Sequence, residues 1–540
     1  MDTTGTQHGP MTGGQALGAA LAAHGVRTVF GIPGTHNLAV YRALDEYGID
    51  HVLPRHEQGA GYAADGYARI CGRPGVCLTT TGPAILNAAT AAAQAYSDSV
   101  PVLFVSPGMP LSHPAHGNGT LHEVKDQSAA MGSVVAYSHR VTSVAEIPAA
   151  VATCFAAMTA GRPRPVHLEV PLDLLEAETP VELLHPVQAS SPVPNEQLIA
   201  EAARRLERAE RPLVVAGGGA SGAASQVAAL AERLGAPVLT SCNGKGVLRE
   251  DHPLSLGAGP QHPSVQRLVE ESDALLAVGT ELAPADWWLG PPRVDGDLIR
   301  VDIDPIGAVA NATPTLALVG DAARTLDGIC SRINGRNRTD ASRVAEWRKA
   351  IREESRAEGE PWIEIVEAIA AALPEEAVVT ADNAMVSYYG ALSNLPAFHP
   401  RSFLFPTGGG TLGYGLPAGI GAKVASPATP VLVLQGDGGT MFTVAELAAA
   451  AALGIALPVV VVDNGGYGEI RNEMENRGER AYAVSLGHPD FVALARALGC
   501  DGVRIESPAH LSEQIETALH ADRPVLLHVA EKSRAADHLL

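Results

Sequence analysis

Short apolar runs rich in valine, leucine and isoleucine recur along the chain and alternate with longer stretches of helical character. Runs at 26–30, 75–79, 102–105 and 166–170 read as strands, with helical stretches at 58–70 and 85–95 between them. A second series has runs at 212–216, 237–240, 274–278 and 298–303, with a helix at 224–234. A third has runs at 378–380, 431–434, 459–462 and 525–529. Strands that alternate with helices pair in parallel, and helices cover both faces of the resulting sheet. The expected fold class is therefore α/β, built as three doubly wound parallel-sheet domains. At 540 residues the chain is too long for a single hydrophobic core. The Pro- and Ser-rich stretch 187–195 and the polar stretch 336–342 read as linkers. Domains are expected at 1–186, 187–340 and 341–540.

Lys and Arg total 38 against 59 Asp and Glu, a formal charge of −21. An acidic surface repels phosphate backbones, so nucleic acid is not an expected partner. Cys71, Cys77, Cys154, Cys242, Cys330 and Cys500 are scattered without CxxC spacing. That pattern predicts neither a zinc site nor a disulfide framework, and fits reduced thiols in the cytoplasm. The first ten residues are polar and lack the apolar core of a signal peptide. The alanine-rich run 445–457 is shorter than the roughly 18–20 residues of a membrane span and contains Gly454.

The strongest chemical signal is Gly436-Asp437-Gly438-Gly439, followed 27 residues after Asp437 by Asn464 in the pair Asp463-Asn464. One βαβ crossover fits this spacing and puts both groups at the carboxyl edge of neighbouring parallel strands. A carboxylate and an amide oxygen beside glycine amides suit Mg²⁺ holding a diphosphate, with phosphate oxygens completing the octahedron.

This arrangement resembles the thiamine-diphosphate motif of the pyruvate-decarboxylase and acetohydroxyacid-synthase superfamily. The resemblance implies a thiamine-diphosphate-binding fold with pyrimidine-binding, central and diphosphate/Mg²⁺-binding domains. It also implies Asp437, Asn464 and the main-chain oxygen of Gly466 as metal ligands. Asp463 departs from the family's Asn-Asn pair at a position that is not the usual ligand. Arg55-His-Glu-Gln-Gly-Ala60 is similar to a second family segment, in which Glu57 is the catalytic carboxylate that hydrogen-bonds the aminopyrimidine ring. Thr407-Gly-Gly-Gly-Thr-Leu-Gly-Tyr-Gly-Leu-Pro417 is similar to the turn whose bulky residue, here Leu412, props the cofactor into a bent shape. By the same resemblance Pro33, Thr80, Asn87, Gly410, Gly436, Gly438, Gly439 and Tyr467 line the cofactor.

The implied chemistry is addition of an ylid to the keto carbon of a small 2-oxo acid, loss of CO₂ and protonation of an enamine to an aldehyde. Attack of the enamine on a second carbonyl gives a 2-hydroxy ketone or acid instead, so an acetolactate-synthase-like carboligase is the alternative. A catalytically silent relative is a further reading, which the presence of Glu57, Asp437 and Asn464 disfavours. Gly217–Gly222 with Asp302 and Asp304 is a loose dinucleotide pattern, and flavin is the less favoured reading. Family members place Glu57 and Asp437 of one site on different subunits, which implies a homodimer or homotetramer.

The stretches 51–69, 121–127, 278–282 and 408–423 resemble in particular the bacterial 5-guanidino-2-oxopentanoate decarboxylases. His122, Gln127 and His36 are the further catalytic candidates. Ala384-Met385 and 463–468 depart from that branch, and Asp286, Glu469 and Glu473 are candidate carboxylates for a cationic substrate.

Overall fold

The computed structural model describes residues 6–114, 117–186, 190–334 and 340–531. The expected linkers at 187–195 and 336–342 lie partly outside the described residues, as does the polar start of the chain.

Three six-stranded sheets form, each with only parallel pairings. The first runs Asp50–Val52, Thr28–Gly31, Gly75–Leu78, Val102–Gly108, Val166–Pro171, Tyr137–Arg140 across its width. The last runs Phe403–Leu404, Val378–Ala381, Val431–Gly436, Pro458–Asp463, Val525–Ala530, Asp501–Ile505. Ranked by chain order, both sheets read 2-1-3-4-6-5. This common topology is the kinship that inspection of the sequence cannot establish as a repeat. The central sheet runs Ser255–Ala258, Val238–Thr240, Pro212–Ala216, Ala274–Val278, Asp297–Asp302, Leu316–Val319, a 3-2-1-4-5-6 order. That order is doubly wound with a switch point between its third and fourth members.

The described chain packs as two compact units that cut across the three sheets. One holds the first sheet together with residues 408–428 and 443–453; the other holds the central and last sheets. In the first unit the strand pair Thr6–Thr12 and Glu178–Leu183 is antiparallel, a feature outside the sequence expectation. The helix Glu57–Cys71 lies directly against the helix Gly415–Ala425 in that unit. The approach is close because glycines face backbone: a Cβ on Gly421 would sit 1.9 Å from the carbonyl oxygen of Ala63, and one on Gly66 would sit 2.2 Å from that of Ala418. A buried network ties the same pair together. Asp65 accepts from Arg69 Nε at 2.7 Å and from Tyr414 Oη at 2.7 Å, and Arg69 reaches Asp98 at 2.8 Å.

At the central switch point, Gly217 donates its N–H to Val278 O at 2.9 Å and Gly219 donates to Gly279 O at 3.0 Å. Two amides of the glycine turn are thus engaged by the neighbouring loop.

Candidate active site

In the second unit the strand Val431–Gly436 pairs with Pro458–Asp463 so that Gly436 stands opposite Val462. Both chains leave the sheet at the same carboxyl edge, and Asp437 and Asn464 emerge side by side. Asp437 is buried, and its Oδ1 accepts the Asn464 N–H at 3.4 Å. Burial, aided by the charge of Asp463, pushes the Asp437 carboxyl up to about 6. Asn464 Oδ1 is buried without a hydrogen-bond partner among the described residues. The loop then folds back through Gly465 (φ +78°) and Gly466 (φ +150°), conformations that favour glycine. A Cβ on Gly466 would lie 2.0 Å from Val484 O; one on Gly438 would lie 3.5 Å from Gly466 O and 3.1 Å from the Tyr467 ring. Gly438, Gly466 and Tyr467 therefore converge on the Asp437 turn.

This donor set fits the expected metal. It offers one carboxylate, one amide oxygen that no described residue satisfies, and a carbonyl, all hard oxygen donors suited to Mg²⁺ completed by phosphate. Among the described residues no group of three or more His, Cys, Asp or Glu is arranged to hold a metal. Asp463, the departure from the family pair, turns to other partners. It accepts from His528 Nε2 at 2.9 Å, from His488 Nδ1 at 3.1 Å and from the Gly465 N–H at 3.0 Å. Burial raises its carboxyl, but the hydrogen bonds from His528 and His488 outweigh that and bring it below the usual range. Neither histidine is marked by any sequence motif.

In the first unit Glu57 opens its helix, and its Oε2 accepts from Asn87 Nδ2 at 2.9 Å. The chain just before it is held by Glu446, a residue outside the sequence expectations. Glu446 accepts the His56 N–H at 3.0 Å and the Arg55 N–H at 3.0 and 3.1 Å. Its carboxylate lies over Gly59, where a Cβ would meet Oε1 at 2.4 Å. The only signal for it is a lone acid entering the alanine-rich run.

Thr80 packs on Gly34, whose Cβ would come within 3.1 Å of the threonine, and Thr80 Oγ1 is buried without a hydrogen-bond partner among the described residues. Pro33 is exposed, and Leu412 is half-buried between Gly410 (φ +58°) and Gly413 (φ +83°). His36 and His122 come together, with ring centroids 5.1 Å apart. His36 Nδ1 bonds Thr81 Oγ1 at 2.5 Å, and burial with the nearby His122 lowers its basicity. His122 takes a left-handed backbone (φ +63°), and its Nδ1 is buried without a hydrogen-bond partner among the described residues. Backbone strain of this kind is concentrated at functional sites. Gln127 is differently placed. Its amide accepts from Gly82 N–H at 2.7 Å and donates to Ser106 Oγ and Pro107 O, both at 2.8 Å. With all three bonds made inside the fold, it positions the turn at Gly82.

Three family models match the chain. The thiamine pyrophosphate enzyme N-terminal TPP binding domain matches residues 11–130, the central domain 199–329 and the C-terminal TPP binding domain 386–529. A probable 2-ketoarginine decarboxylase of Pseudomonas aeruginosa is 44% identical over 509 residues, 93% of this chain and 90% of the relative. A probable acetolactate synthase large subunit of Methanocaldococcus jannaschii is 33% identical, with 96% and 92% covered. The acetolactate synthase isozyme 2 large subunit of Escherichia coli is 32% identical, with 96% and 95% covered.

Proposed function

Because the chain belongs to the thiamine pyrophosphate enzyme family, we propose that it is a thiamine-diphosphate- and Mg²⁺-dependent decarboxylase of a 2-oxo acid, with 5-guanidino-2-oxopentanoate (2-ketoarginine) as substrate. The observation that carries the cofactor reading is the unsatisfied Asn464 Oδ1 beside the buried Asp437 carboxylate. The substrate reading rests on the 44% identical relative.

When bound, thiamine diphosphate supplies the carbon nucleophile and the electron sink that lets CO₂ leave. Asp437, Asn464 and the Gly466 carbonyl would hold Mg²⁺, which would supply positive charge to the cofactor's diphosphate. Asn87 holds Glu57 Oε2, and Glu57 would be the carboxyl that passes a proton to and from the bound cofactor. His36 and His122 form the proton source for the product carbon, and Thr81 sets which His36 nitrogen faces outward. Pro33, Thr80, Leu412, Gly410, Gly436, Gly439 and Tyr467 complete the cofactor's walls.

The active form is a homodimer or homotetramer in which Glu57 and Asp437 of one site come from different copies. Its location is cytoplasmic, in keeping with six free thiols, and no described helix is long and apolar enough to cross a membrane.

The test is CO₂ release from 5-guanidino-2-oxopentanoate, pyruvate and benzoylformate, with and without thiamine diphosphate and Mg²⁺. Release that needs both and is fastest with the guanidino acid is expected. A 2-hydroxy acid in place of an aldehyde would favour the carboligase reading, which the acetolactate synthase relatives support.

A further inference from the structure

Within the second unit a cavity of about 390 Å³ opens beside the Asp437 edge. That volume falls in the range of small-molecule sites. Asn383, Asp286, Trp288, Tyr388, Tyr389 and Glu469 are among its lining residues, and no Lys, Arg or His lines it. The cavity wall and the metal loop are contiguous. A Cβ on Gly436 would lie 3.1 Å from the Cβ of Ala384, next to Asn383; one on Gly468, next to Glu469, would lie 2.7 Å from Asn464 Nδ2.

The two tyrosines sit on a π-helical turn, Val386–Ala391. Such wide turns are frequent at functional sites. Here it sets consecutive aromatic rings side by side, with centroids 4.5 Å apart. Trp288 stands edge-on to both, at 6.3 Å from Tyr388 and 5.8 Å from Tyr389, and is itself 43% exposed. Its Nε1 is bound to Ala285 O at 2.9 Å, which holds the indole in place. Tyr389 Oη donates to Glu469 Oε1 at 2.9 Å, and Asp286 Oδ1 accepts the Cys242 N–H at 2.9 Å. The cavity thus combines carboxylates and aromatic faces, with no Lys, Arg or His among the described residues that line it.

We infer that this cavity is the side-chain subsite of the reaction and takes a guanidinium group, with Glu469 as its anchoring carboxylate and Trp288, Tyr388 and Tyr389 as its walls. A guanidinium is planar, weakly hydrated and rich in N–H donors, so it stacks on aromatic faces while pairing with a carboxylate. An aliphatic side chain would leave both carboxylates facing an apolar group, a costly burial. The contiguity with the Asp437 edge lets one extended molecule present its keto end to the reacting centre and its cationic end to Glu469.

The inference rests on the proposed 2-oxo acid reading, and two measurements separate them. The first is binding of 5-guanidinopentanoate, 5-aminopentanoate and hexanoate to the holoenzyme by calorimetry; none has a keto group, so none can react. Tightest binding of the guanidino acid is expected, with Glu469→Gln lowering its preference over hexanoate by about 10- to 150-fold, the worth of a hydrogen bond to a charged group. Tyr389→Phe, which keeps the ring, is expected to lower the preference less. An unchanged preference in Glu469→Gln, with its fold checked by circular dichroism, overturns the inference. Equal affinity for the amino and guanidino acids overturns the guanidinium assignment. The second is CO₂ release from 5-guanidino-2-oxopentanoate against 2-oxohexanoate. A wild type that releases none from the former, yet binds 5-guanidinopentanoate through Glu469, retains the subsite and refutes the proposed reaction. A normal release whose ratio between the two substrates ignores Glu469→Gln does the reverse.

Discussion

Glu446 receives the main-chain N–H of Arg55 on both carboxylate oxygens, at 3.0 and 3.1 Å. It comes from a helix nearly four hundred positions away in sequence and seats the chain two residues ahead of Glu57. Burial pushes its carboxyl up to about 7, against an ordinary value of 4.5. Between those two values the folded protein holds a proton that the unfolded chain releases. This group's contribution to stability is therefore fullest below about pH 4.5 and is lost as pH rises to about 7, about 3 kcal/mol in all. Thermal unfolding from pH 5 to 7.5 is expected to show a downward slope that is shallower in Glu446→Gln. Equal slopes would exclude Glu446 as its source.

Asp463 binds two histidines as well as the Gly465 amide. An asparagine there replaces one acceptor oxygen with an NH₂ donor, so one histidine loses its acceptor unless its tautomer changes. Groups that orient a metal-binding loop typically change affinity by about 10- to 100-fold when altered. Asp463→Asn is expected to weaken Mg²⁺ binding by about tenfold, read from the Mg²⁺ dependence of thiamine diphosphate uptake by calorimetry. Wild-type affinity would mean the histidine pair does not order the loop.

Glu57→Gln is expected to slow CO₂ release by about 10²- to 10⁴-fold, the usual worth of a positioned acid/base. If sites are shared between copies, mixing this variant with Asp437→Ala under subunit exchange restores about a quarter of wild-type activity. No recovery, with exchange verified by mass spectrometry, would place both groups of a site on one chain.

Gly421→Ala forces a methyl onto the Ala63 carbonyl, 1.9 Å from the new carbon. Overpacking of this kind costs about 1–3 kcal/mol. The melting temperature is expected to fall clearly, whereas Gly161→Ala, which meets nothing within 4 Å, is expected to leave it unchanged. A silent Gly421→Ala would show that the two helices can part without loss.

The sequence makes the inner strands of every sheet legible and hides the outer ones. Val431–Gly436 and Pro458–Asp463 are buried along nearly their whole length and stand out as apolar runs. Asp50–Val52, Tyr137–Arg140 and Asp501–Ile505 are edge strands, half-exposed and mixed in character, and were not expected as strands. An edge strand has one neighbour and little need of a continuous apolar run, so its place is decided by the sheet it joins.

The same division holds at the site. Asp437 and Asn464 are readable because one crossover of the right length carries them to one edge, and local chain geometry suffices for that; Gly466 follows only from the family resemblance. Glu57 is readable from its own segment. Glu446 under Arg55, the His488 and His528 pair on Asp463, and the two tyrosines of the π-turn facing Glu469 are contacts between segments distant in sequence. No local pattern encodes such contacts, because the groups meet only when helices and sheets have packed. The sequence alone determined the fold class, the cofactor motif and the candidate residues around it; the tertiary structure decided which buried partners hold those residues and what shape and charge the neighbouring cavity has.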